Sequence, residues 1–179
     1  SFDSFDGINF YYVNNSYWDT LCEKYNTGKL NQVGRVWYGT FSMLRKIHLL
    51  FHINSFPDVD TKITKCILNQ YRKLCNSGQE YDCVLGVFRP YSCLNAVIKI
   101  KSHTPKICAV SYIVDLVEEK DCPTFMPLKL FKEKIIAGDY AVCDQSDYVI
   151  LPKAAQNKNY SIFQKYSNKT DYLEFPTFL

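Results

Sequence analysis

The residues placed to do chemistry in this chain are those that close apolar runs. Arg89 directly follows Val84-Leu85-Gly86-Val87-Phe88 and precedes Pro90, which suits the first turn of a helix. A guanidinium there, beside free backbone N–H groups, fits a phosphate or a carboxylate. The plainer reading is a solvated arginine paired with a nearby acid. Asp115 ends a second apolar run, where a charge is unexpected unless it faces a cleft. In a cleft it would accept hydrogen bonds from ligand hydroxyls or act as a base; otherwise it caps a turn. Glu118 and Glu119 stand beside Lys120 and Asp121 and read most simply as a solvated loop. Asn14 follows an aromatic, β-branched run and joins the candidates by position.

Several chemistries lack their motif. None of the seven glycines forms GxGxxG, and Gly28-Lys29 lacks the upstream glycine of a phosphate-binding P-loop. No GxSxG elbow is present. His48 and His52 are four residues apart without an HExxH frame, so no metal site is expected.

In open parallel sheets, ligands bind beyond the carboxyl ends of the strands. The order of elements therefore decides which candidates can meet. Residues 8–13 predict a first strand, opened by Gly7 and closed by Asn14-Asn15, and a polar stretch follows to about residue 33. Tyr38, Phe41, Leu44, Ile47 and Phe51 recur at helical spacing and predict a helix over 37–51. Asp60 can cap a second helix, whose stripe is Ile63, Cys66, Ile67, Tyr71 and Leu74 and whose stop is Asn76-Ser77-Gly78.

From there the rhythm is regular. A strand over 83–88 leads into a helix from Pro90 with Leu94, Val97 and Ile98 inward. A strand over 107–114 leads, past Cys122-Pro123, into a helix over about 127–144 with Phe131, Ile135 and Val142 inward. A strand over 148–151, a helix over 153–166 and a strand over 172–175 complete the pattern. Runs that are apolar throughout are buried on both faces. Their alternation with helices predicts an α/β, Rossmann-like three-layer domain with a mostly parallel sheet, spanning residues 1–179 as one domain.

Composition narrows the class. The chain has 179 residues, 47% hydrophobic and 22% charged, with a net charge of +3, which excludes a disordered tail and a polybasic nucleic-acid arm. Its apolar runs fall well short of the roughly 20 residues that cross a bilayer. The eight cysteines show no CxxC pair, and several, such as Cys66, Cys83 and Cys108, fall at apolar positions. They read as reduced, small hydrophobic residues, which favours the cytoplasm. Residues 35–52 mix Arg35, Arg45, Lys46, His48 and His52 with Trp37, Tyr38, Phe41, Leu44 and Phe51. Such a mix suits peripheral contact with an anionic membrane surface, the inner face for a cytoplasmic protein. The plainer alternative is a core-packing helix with a wet basic face. The chain opens Ser1-Phe2-Asp3-Ser4 and stops at Phe175-Pro176-Thr177-Phe178-Leu179, and both ends read as truncations.

The order of local phrases resembles the N-terminal domain of GT-B glycosyltransferases of the group 1, family 4-like branch. Glu80-Tyr81-Asp82-Cys83-Val84-Leu85-Gly86 resembles the family's "yDvii" strand, and Arg89-Pro90 falls where its acceptor-side loop begins. Lys106 through Asp115 resembles its "kip.v...hD" segment. Lys132-Glu133-Lys134-Ile135-Ile136 with Ser146-Asp147-Tyr148-Val149-Ile150-Leu151-Pro152 resembles "Ek.i...aD.ii..s", with Pro152-Lys153 in place of the usual ending. Tyr172-Leu173-Glu174-Phe175-Pro176 resembles the strand that exits toward the interdomain linker. The family's first strand and glycine-rich loop would lie upstream of Ser1, and its second domain downstream.

The resemblance implies retaining transfer of a sugar from a nucleotide-sugar to a sugar or glycolipid acceptor. The nucleotide-sugar donor would be held by the missing C-terminal domain, with no other cofactor. This chain would supply the acceptor side and be inactive alone. Arg89, Tyr91, Asp115, Glu118 and Asn14 are then the acceptor-binding candidates, Asp115 the catalytic candidate, and Tyr91 would stack on a sugar ring. The alternative is a non-catalytic α/β module for ligand binding or interaction. A nucleotide-dependent oxidoreductase is disfavoured by the missing glycine fingerprint.

Overall fold

A computed structural model describes residues 4–5, 8–9, 17–51, 53–58, 61–88, 90–124, 126–156 and 161–174. The chain divides into two compact units, Ser1–Phe51 and His52–Leu179.

In the first unit, β1 (Ser4–Phe5) pairs antiparallel with β2 (Ile8–Asn9). The strand expected over 8–13 is thus part of a two-stranded ladder of its own, separate from the parallel sheet. Residues 10–13 lie outside the described residues. The stretch expected to be a polar loop contains α1 (Tyr17–Asn26). Leu21 is buried there, and Tyr25 stacks on Tyr38 at 3.9 Å between ring centroids. The helix α2 (Gln32–Phe51) begins five residues before the expected start. Between the two helices Gly28 takes φ +67, a left-handed turn conformation that side chains resist.

The second unit has the expected Rossmann-like α/β architecture. Its sheet is four-stranded and all parallel, in the order β3 (Cys83–Phe88), β4 (Cys108–Ile113), β5 (Tyr148–Pro152), β6 (Thr170–Leu173). Helices flank it: α3 (Thr61–Asn76), α4 (Tyr91–His103), α5 (Leu128–Gln145) and the short α6 (Lys153–Gln156) and α7 (Ser161–Lys165). Of the helix expected over 153–166, α6 and α7 are described, and residues 157–160 between them lie outside the described residues. The last strand starts at Thr170 rather than Tyr172, because a buried Thr170 takes its place opposite Val149.

The two faces of the sheet are unequal. Ala109, Ser111, Ile113, Val149 and Leu151 are buried, whereas Leu85 and Val87 of β3 are 56% and 40% exposed. Parallel strands in sequential order carry right-handed crossovers on one side. Accordingly α4 packs on β3 and β4, and α5 on β5. An apolar run in an edge strand therefore did not mean burial on both faces. The cysteines show the same limit: all eight are free, but Cys66 and Cys83 are exposed and only Cys143 is buried.

Two contacts fix how the candidate residues are presented. A Cβ at Gly86 would stand 2.6 Å from Val97 Cγ2 and 2.9 Å from the Cys93 carbonyl oxygen, so only glycine lets α4 approach β3 this closely. Before α3, the buried carboxylate of Asp58 accepts hydrogen bonds from Ser92 Oγ (2.6 Å), Thr64 Oγ1 (2.9 Å) and Asn95 Nδ2. That network ties the first turn of α4 to α3 and so sets the position of Tyr91.

Candidate functional site

A narrow cavity opens at the carboxyl edge of the sheet. Phe88 and Ile113, the last residues of β3 and β4, form its floor, and Tyr91 and Leu94 of α4 form one wall. Asp115, Leu116 and Val117 follow β4 and form the opposite rim, and Asp139 reaches it from α5. Its volume of about 10 Å³ holds one water-sized group.

Its polar groups are unusual. The Tyr91 hydroxyl is buried and has no hydrogen-bond partner among the described residues. The ring meets Phe88 edge-on, 6.3 Å between centroids. Burial, and then the nearby Asp139 and Asp58 charges, push the phenol far above its ordinary value. Burial likewise raises the Asp139 carboxyl to about 7. Close by, burial and the Asp139 charge lift the Cys143 thiol to about 12. Asp139 is therefore divided between its acid and ionised forms near neutral pH, while Asp115 stands exposed at the mouth.

The structure brings together two of the sequence candidates, Tyr91 and Asp115. Arg89 and Asn14 lie outside the described residues. Glu118 does not line the cavity. Its side chain accepts from the Asp121 backbone in a capping box, while its own N–H donates to Asp121 Oδ2 at 2.9 Å, and Lys120 pairs with it at 2.8 Å. Its geometry is that of a residue holding the short turn Glu119–Asp121. Lys153, which follows β5, pairs with Glu174.

Asp139 and Asp58 were not among the candidates. Asp139 had a readable signal, since it stands four residues after Ile135 and three before Val142, on the helix stripe expected to face inward. An acid on such a stripe, next to a mid-helix glycine, marks a close approach or a site. Asp58 had no comparable signal.

A second, wider depression lies at the opposite edge of the sheet, with Lys101, Asp147 and Lys169 among its lining residues. Its charges are occupied structurally. Lys101 Nζ donates to the Ile107 carbonyl at 2.9 Å and to Asp147 at 2.8 Å, and Lys169 Nζ donates to the Ser146 carbonyl at 2.8 Å. Burial works against the Asp147 charge, but Lys101 and the Ala109 N–H at 2.7 Å hold its carboxyl below the usual range.

Among the described residues, no cluster of three or more histidines, cysteines or acids is placed to hold a metal ion. No helix among them is long and apolar enough to cross a membrane. Compared with known proteins, the chain matches no family model, no curated protein and no solved structure.

Proposed function

We propose that the Rossmann-like unit is the acceptor-side half of a sugar-transferring enzyme of the GT-B type, with the nucleotide-sugar held by a companion domain. The observation that carries this reading is the meeting of Tyr91, at the start of α4, and Asp115, in the loop after the neighbouring strand β4, in one cavity at the carboxyl edge. That is where an open parallel sheet binds its ligand. The chemistry supports an alcohol as ligand. Asp115 is a hydrogen-bond acceptor for hydroxyls, Leu116 and Val117 offer apolar contact to C–H faces, and burial keeps part of Asp139 in its uncharged acid form at neutral pH. In this reading Asp115 orients or deprotonates the acceptor hydroxyl at the mouth.

The exposed apolar stripe of α2 belongs to the same proposal. Val36, Trp37, Met43, Leu44 and Phe51 lie 53–82% exposed on a helix without a single acidic residue. That composition supports peripheral contact of residues 35–52 with the anionic inner face of a membrane in the cytoplasm, and with it a glycolipid acceptor.

A second reading, a non-catalytic binding module, is favoured by the narrowness of the cavity, which admits a functional group and not a whole sugar ring. Thermal shift of the intact protein against a panel of nucleotide-sugars separates the two. The enzyme reading expects one nucleotide-sugar at a hundredfold excess over its Kd to stabilise the native state by about 2.7 kcal/mol, with sugar transfer to an acceptor. Absence of both would leave the binding module.

A further inference from the structure

The acceptor reading places no ligand group at the inner end of the cavity. Tyr91, in the first turn of α4, and Asp139, in the middle of α5, both line this space for one water-sized group. The Tyr91 hydroxyl is fully buried, and no described residue satisfies it. Such a group is destabilising unless a partner satisfies it. It is also held in place, because a Cβ on Gly138 would stand 2.6 Å from Oη and 2.9 Å from Pro57 Cγ. A glycine in the middle of an 18-residue helix weakens it relative to alanine, and here it makes room for the phenol.

We propose that Tyr91 Oη and the Asp139 carboxyl form a subsite for a single hydroxyl group, gripping one arm of a polyol whose remainder lies over the Asp115 rim. The phenol and a protonated carboxylic acid can each both donate and accept, so between them they satisfy both the proton and a lone pair of an alcohol. The charged and titratable groups facing the pair are Asp58 and Cys143, beside Asp115 at the mouth. The Asp139 carboxyl sits near 7 through burial, so the acid form is well populated at neutral pH. An ammonium would instead need the ionised carboxylate, which burial disfavours.

This inference deepens the acceptor reading but is tested apart from it, since polyol binding needs only this chain and sugar transfer needs the companion domain. The probes are glycerol and methylammonium chloride, titrated separately into the ¹⁵N-labelled chain at pH 6.5 while amide shifts are followed. Glycerol is expected to move the Tyr91, Gly138 and Asp139 amides. Tyr91→Phe and Asp139→Leu are expected to weaken it about fivefold to tenfold, the loss of one hydrogen bond. Asp139→Asn, which still donates and accepts, is expected to stay within about twofold of wild type. Melting curves identify any variant that fails to fold, and Tyr91→Phe against wild type then carries the comparison. No glycerol response at these amides, equal responses in wild type, Tyr91→Phe and Asp139→Leu, or a stronger response to methylammonium would each overturn the proposal.

Discussion

The hydroxyl of Tyr91 and the backbone of Gly138 lie so close that a β-carbon at 138 would come within 2.6 Å of Oη. The contact ties the helix after β3 to the helix after β4 at the cavity that both line. Alanine at 138 would gain about 1 kcal/mol in helix propensity. It would also press on the Pro57 ring, which cannot swing aside as a flexible side chain would. Gly138→Ala is therefore expected to destabilise by about 1–3 kcal/mol in chemical denaturation. Tyr91→Phe removes one of the two clashes, so the double variant should regain part of that loss. Tyr91→Phe alone should be neutral or stabilising by up to about 1 kcal/mol, because an unsatisfied buried hydroxyl is gone.

Asp139 makes stability depend on pH in a stated direction. Its carboxyl is raised from 3.8 to about 7 by burial. Between those values the native state holds a proton that the unfolded chain has released. Its stabilising contribution is full below about pH 4, declines as pH rises to about 7, and is flat above that. Asp139→Asn removes this titration. Denaturant unfolding at pH 5 and pH 8 should show the variant gaining on wild type by roughly 2–4 kcal/mol at the higher pH. An equal difference at both values would show that Asp139 titrates normally.

Removing Asp58 should be among the costlier polar substitutions. Its carboxylate accepts hydrogen bonds from Ser92 and Thr64, both buried, and from Asn95. Asp58→Ala strands those donors and is expected to cost roughly 2–4 kcal/mol in urea denaturation. Asp58→Asn should cost less, since an amide oxygen still accepts.

The α2 stripe makes a surface prediction. The chain should co-sediment with phosphatidylglycerol vesicles and not with phosphatidylcholine vesicles, and roughly half-molar salt should weaken the binding, because Arg35, Arg45 and Lys46 contribute about 1 kcal/mol each near an anionic surface. Replacing both Trp37 and Phe51 by serine should reduce partitioning at least about tenfold.

The second unit was legible because its physics is local and repetitive. Continuous apolar runs at βα spacing gave β3, β4 and β5, with α4 and α5 between them. The first unit was not. Leu21 and Tyr25 lie among polar residues and show their helical stripe only once Tyr38 of α2 supplies a partner. A two-residue pairing such as Ser4–Phe5 with Ile8–Asn9 has no periodicity to read. At the site, the carboxyl-edge rule found Tyr91 and Asp115 from chain position alone. Asp58 escaped because its role depends on Ser92, 34 residues away, which no local pattern encodes. Asp139 was visible as an acid on an apolar stripe, yet its chemistry depends on burial supplied by Tyr91 and the strand ends.

The most direct test of a hydroxyl-gripping cavity is a carboxyl-carbon NMR titration of Asp139 in the chain labelled at aspartate. The expected midpoint lies near 7 and moves when glycerol is added. A midpoint near 4 that ignores glycerol would contradict it, leaving Tyr91 and Asp139 as packing residues with no ligand between them.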